Sequence, residues 1–120
     1  MTRESGTAVV EFALVMPIVL LLVLGIVEIA AVARTEIQLT HAAREGARQA
    51  ATSPDTARAA SAVRAALGPI GARAKVSVSR PSAVGEPATV SVALRHRVAA
   101  PLLGGLPVDL RASATMRTER

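Results

Sequence analysis

Glu11 is the residue from which most chemistry follows, because it stands at the threshold of an uncharged run that begins at Phe12. A carboxylate beside hydrocarbon costs several kcal/mol unless something neutralises it, so charge pairing is the chemistry expected of it. Its setting is Gly6-Thr7-Ala8-Val9-Val10-Glu11-Phe12. A second carboxylate, Glu28, lies roughly 24 Å beyond Phe12 on a helix. It reads as an interfacial group that reaches headgroup water, or else as a pairing group in assembly. His41 and His96 are the only histidines and are far apart in sequence. His96 falls on the apolar side of a strand pattern, where a half-buried structural histidine is the simpler reading than a metal ligand. Arg95 and Arg97 on a polar strand face would suit an anion, against the plainer reading of a solvated edge. Gly104-Gly105 reads as a turn. The chain has no cysteine, which removes thiolate nucleophiles, disulfides and sulfur metal sites. With no nucleophile beside a base and no phosphate-cradling glycine loop, the expectation is a protein that is not an enzyme, with no catalytic residue, metal or cofactor.

The elements that must position Glu11 and Glu28 start with a helix. No charged residue interrupts the sequence from Phe12 to Val27. Counted through Ala33, the run gives about 22 residues, or roughly 33 Å of helix, enough to span a bilayer. Pro17 lies inside it and should bend or locally unwind the helix by removing one backbone donor. The helical pattern then continues: Ile37, Leu39, Ala42, Ala43, Gly46, Ala47, Ala50 and Ala51 form an apolar to small-residue face, with Glu36, Arg44, Glu45 and Arg48 opposite. One helix of about 45 residues is the economical reading. The Ala42 to Gly46 spacing would admit another backbone closely, or serve packing against the chain's own sheet.

A short second helix is expected after Ser53 as N-cap, with Pro54 at its first position, Asp55 near the positive end of the dipole, and Ala60, Val63 and Leu67 on one face. Gly68-Pro69 ends it. The period then changes to two. Ala74, Val76 and Val78, then Ala88, Val90, Val92 and Leu94, then Leu110, Ala112, Ala114 and Met116 each alternate with mostly polar neighbours, which reads as three half-buried strands. A hairpin loop at 81–87 and a link at 101–107 make an antiparallel meander. The fold class is therefore α+β: a long N-terminal helix, transmembrane then amphipathic, with a short helix packed on a small three-stranded sheet.

The 120 residues hold 14 basic and 9 acidic side chains, for a net charge of +5, and Lys75 is the only lysine. Phe12 is the only aromatic. Without aromatic stacking platforms nucleic acid is an unlikely partner, and any core must be built from Ala, Val and Leu, which bury little area each.

A short polar leader ending in Gly, a bond to a small residue, Glu fifth after that bond, an aromatic next and then a spanning helix together resemble type IV pilins and pseudopilins. More narrowly, residues 6–17, Ala42-Ala43-Arg44-Glu45-Gly46-Ala47-Arg48 and Ala114-Thr115-Met116-Arg117-Thr118-Glu119 look like the TadE-like family of the tight-adherence pilus system. The resemblance implies a leader at residues 1–6, cut between Gly6 and Thr7 by a membrane-embedded prepilin peptidase. It implies a transmembrane helix at 7–33 and an extracytoplasmic pilin-like domain at 34–120. Glu11 would neutralise the terminal amine of a neighbouring subunit, Phe12 would be the aromatic that follows the pairing carboxylate, and Pro17 the helix kink. The implied partners are the peptidase, other pilin or pseudopilin subunits, an inner-membrane assembly platform and the lipid bilayer. The implied role is pilus biogenesis, surface adherence or secretion. Two departures stand out: Thr7 occupies a position where many pilins carry Phe, and Phe12 one where some relatives carry Tyr.

The implied topology has a cytoplasmic N-terminus in a single-pass cell-membrane protein. The distribution of charge points the other way, since Arg3 precedes the span and Arg34, Arg44 and Arg48 follow it. Two other readings remain open. Ala31-Val32-Ala33 offers a signal-peptide site with a mature start at Arg34, and an unprocessed anchor could carry a small binding domain.

Overall fold

A single helix, α1 (Thr2–Thr52), carries the whole first part of the chain. The structure, a computed structural model, describes residues 2–97 and 105–119. α2 (Thr56–Leu67) follows, then a 3-10 turn at Gly68–Arg73 and the strands β1 (Lys75–Ser79), β2 (Pro87–Arg97) and β3 (Pro107–Arg117). The molecule is elongated, 82 × 20 × 18 Å, because the N-terminal part of α1 projects beyond the domain. The expected α+β class is what the chain adopts, and the sheet is an antiparallel meander in the order β1-β2-β3.

α1 differs from expectation in its length. It is about a turn and a half longer, starting before Gly6, and it stays helical through Pro17. The proline forfeits one hydrogen bond, but the helical residues on both sides keep theirs. Along α1, contact with the domain begins at Glu28 and recurs at Val32, Thr35, Leu39, Ala42, Ala43, Gly46, Ala47 and Ala50, a stripe repeating every three or four residues. Ile37, assigned to that face by its hydrophobicity, is instead exposed, since it lies two positions from Leu39 and so points away from the sheet.

The core is made of small side chains, with Leu39, Val63, Val90 and Val92 its largest fully buried members. Ala42, Ala43, Ala47, Ala50, Ala59 and Ala88 bring helices and sheet close together around them. Gly46 marks the closest approach. A Cβ there would press into a Val63 methyl and sit 3.0 Å from Val90 Cγ1, so α2 and β2 both converge on this glycine. Of the two readings of the Ala42 to Gly46 spacing, the chain's own fold occupies that face.

α2 is capped by Asp55, not by Ser53. The Asp55 carboxylate accepts from the Ala57 amide at 3.0 Å, while Ser53 Oγ accepts from the Asp55 amide in the preceding turn. A carboxylate satisfies the free amides and also meets the positive end of the dipole, which a hydroxyl does not. The start moves to Thr56, the buried row becomes Ala59, Val63 and Leu67, and Ala60 is half-buried. Gly68 ends α2 at φ +65°, its amide donating to the Ala65 and Arg64 carbonyls. Pro69 then opens the unexpected 3-10 turn.

β2 buries Ala88, Val90, Val92 and Leu94 toward the helices. On β3 only Leu110 is fully buried, Ala112 and Ala114 are partly so, and Met116 is exposed. The far end is closed by hydrogen bonds: Thr118 donates its amide (2.9 Å) and hydroxyl (2.8 Å) to the Glu86 carbonyl, and the Glu119 amide donates to the Ala51 carbonyl. Arg80 Nε donates to the Ala50 carbonyl at 2.7 Å, closing the C-terminal turn of α1. Residues 101–104 of the link expected between the last two strands lie outside the described residues; Gly105 is in a turn at φ +78°.

Candidate functional site

Gly6, Thr7, Glu11 and the apolar run lie on one continuous piece of helix. From Val9 to Val27 the large apolar side chains of α1 are exposed, and Phe12 remains 65% accessible. The apolar window has a mean hydropathy of 2.8, and none of it is covered by the domain. A helix with apolar residues on every side, uncovered by its own domain, is long and apolar enough to cross a bilayer. Nothing from the domain is available to satisfy the cost of exposing it to water.

Gly6, Thr7 and Glu11 sit at the start of this segment. Nothing lies within 4 Å of where a Gly6 Cβ would be. Glu4, Thr7, Ala8 and Glu11 share one face and line a shallow depression. Thr7 and Glu11 are one helical turn apart, about 6 Å along the axis. The Glu11 carboxylate is exposed, so no group of the domain covers it. Pro17 stands about 9 Å further on, inside the helix.

Glu28 is treated differently by the fold. It lies on the stripe that meets the domain, and its Oε2 is 3.6 Å from Nε2 of His96 on β2. The two side chains are 20% and 24% exposed. The contact is an ion pair when the imidazole is protonated. Sequence reasoning placed His96 on the apolar strand face, as the structure does, and read Glu28 alone. What it missed was their meeting, for which the only sequence signal was a carboxylate and a histidine on two faces that must pack together.

His41 is not brought to this pair. It lies on the exposed side of α1, some 20 Å further along the axis. Arg95 and Arg97 are on the exposed face of β2, and Arg95 Nε approaches Asp109 Oδ1 at 3.5 Å. Higher on α1, Arg48 donates two hydrogen bonds to Glu45, at 3.1 and 2.6 Å. The Arg48 hydrogen bond, more than its charge, holds the Glu45 carboxyl below its usual range. Among the described residues, no group of three His, Cys, Asp or Glu could hold a metal ion.

The architecture is a membrane-length helix whose upper half becomes the spine of a small α+β domain. Within it, residues 6–48 match the family model for TadE-like proteins. The match starts at Gly6, takes in Glu11 and the apolar run, and ends in the Glu45-Gly46-Ala47-Arg48 segment packed on the domain. No curated protein and no solved structure matches the chain.

Proposed function

We propose that this protein is a pseudopilin-like component of a tight-adherence pilus assembly or secretion system, processed after Gly6 by a prepilin peptidase and acting in pilus biogenesis and surface adherence. The observation that carries the reading is the single helix on which a TadE-like match, an exposed Glu11 and an uncovered membrane-length segment coincide.

The protein is a structural component and not a catalyst. Cleavage removes residues 1–6 and leaves a new ammonium on Thr7. Gly6 eases the opening of the helical turn that contains the bond, since glycine is about 1 kcal/mol less favourable than alanine within a helix. The ammonium then stands about 6 Å along the axis from the chain's own Glu11. When a second subunit enters, Glu11 takes the neighbour's amine instead. In low dielectric an unpaired partner is costly, so the pairing selects one register of insertion. Other pilin or pseudopilin subunits, the peptidase, an inner-membrane assembly platform and the bilayer are the partners. The domain is extracytoplasmic and the N-terminus cytoplasmic, with the positive charges after the span carried across on a folded unit.

Secretion by cleavage at Ala31-Val32-Ala33 fits the molecule less well. That bond lies within α1, Val32 packs against the domain core, and Glu28 would be cut from His96. The test is Glu11→Ala in the native host. The variant should insert in the membrane at normal levels and fail to support pilus assembly or adherence; normal pili with Glu11→Ala would refute the pairing role.

A further inference from the structure

We propose that the solvent face of the sheet, at its α1-exit end, docks on anionic phospholipid headgroups. This rests on the reading of α1 as a membrane span. Strand alternation places Lys75, Arg95, Arg97 and Arg111 on the face turned away from α1, and the register sets Lys75 and Arg111 on either side of Ala93. Because Ala93 is small, the two cations flank a depression between the outer strands rather than a ridge. Arg73 joins them at the rim of a depression of about 380 Å³ that also takes in Arg95 and Asp109. Asp109 is the one carboxylate lining it, and Arg95 already holds it at 3.5 Å. The face is therefore strongly positive at this end, while the rows further along carry hydroxyls: Ser77, Ser91 and Ser113, then Ser79, Thr89 and Thr115.

The height of the patch selects the occupant. The Glu28 to His96 contact ties the end of β2 to a level of α1 that lies within the last turns of the apolar run. Arg95 and Arg97 flank His96 in sequence, and the Lys75 to Arg111 row lies about 10 Å back along the strand. From Glu28 to the end of the run at Ala33 is about 7 Å of helix, and each headgroup layer is roughly 5–8 Å deep. The Lys75 to Arg111 row thus stands just beyond the end of the apolar run, at headgroup height, and Arg95 below it reaches the same phosphates along its stem. A zwitterionic surface would leave this positive charge unmatched; an anionic one matches it.

The chain lacks cysteine, so single labels can be placed cleanly. The full chain carrying a fluorophore on Ser91→Cys, at the rim of the patch, is reconstituted in nanodiscs containing headgroup spin-labelled phosphatidylglycerol or phosphatidylcholine. Quenching by the anionic lipid is expected to exceed that by the zwitterionic lipid several-fold. The difference should disappear at high salt and in the Lys75→Gln, Arg95→Gln, Arg111→Gln triple variant, whose altered residues are exposed. Equal quenching by the two lipids overturns the proposal. So does a response of the label to inorganic polyphosphate alone, which would make the patch a site for a soluble anionic polymer. A second label on Val19→Cys, read with acyl-chain quenchers, separates the two readings. If Val19 is quenched and Ser91 is indifferent to lipid charge, only the patch fails; if Val19 is not quenched, the membrane span fails and the patch with it.

Discussion

Glu28 of α1 and His96 of β2 face each other at 3.6 Å, at the point where the uncovered part of the helix meets the domain. The pair fastens the end of the sheet to the helix below the first fully buried core residue of α1, Leu39. Removing one partner leaves the other in a site where less than a quarter of its side chain meets water. A double-mutant cycle of Glu28→Gln and His96→Ala should therefore give a coupling of about 1 kcal/mol in denaturant unfolding of the domain in micelles. Additive effects would mean that the contact contributes nothing.

Gly46 should tolerate no side chain without loss. Gly46→Ala inserts a methyl between Val63 and Val90, and overpacking of this kind costs about 1–3 kcal/mol. The domain's melting temperature should fall, and Val63→Ala in the same chain should restore part of it. A Gly46→Ala protein as stable as the parent would show that α2 yields freely at this crossing.

The closure of α1 is open to an exchange experiment. Arg80→Ala removes the donor to the Ala50 carbonyl, and a charge-assisted hydrogen bond contributes about 1.5–3 kcal/mol. The Ser53 amide, bonded to the Gln49 carbonyl at 2.9 Å, should then exchange faster while amides of β2 do not. Uniform acceleration across the domain would indicate global destabilisation instead.

Acid should act on Glu45 with a defined sign. Its folded-state pKa is depressed by the hydrogen bond from Arg48, so its contribution is present above the ordinary carboxylate value of 4.5 and is lost as the pH falls through the depressed value. Both groups are exposed, so the effect on stability is small. Carboxyl chemical shifts should show Glu45 titrating at higher pH in Arg48→Ala than in the parent. An unchanged titration would remove the hydrogen bond from the solution structure.

Much of this molecule was legible in residue order, for physical reasons that differ by element. The strands announced themselves because Val90, Val92 and Leu94 must face one way while Ser91 and Arg95 face the other. The long helix was legible from an uncharged run that nothing but lipid or protein could cover. Capping was harder, since Ser53 and Asp55 are both good acceptors and only the local turn decides between them. The 3-10 turn at Gly68–Arg73 was hidden because Gly68-Pro69 reads as an end, while Gly71 is needed for a close approach to the Arg64 backbone. Of the site, Gly6, Glu11 and the span could be read locally. The Glu28 to His96 contact could not, because it depends on how far the sheet descends along α1.

The central claim is prepilin processing of a helix that carries its own pairing carboxylate. Intact mass and N-terminal sequencing of the protein purified from native membranes test it most directly, with Gly6 replaced by a bulky residue as the control. The account predicts a chain that starts at Thr7 and a full-length chain in the Gly6 variant. A native start at Met1 or Arg34 would contradict it and would assign the molecule to simple anchoring or to secretion.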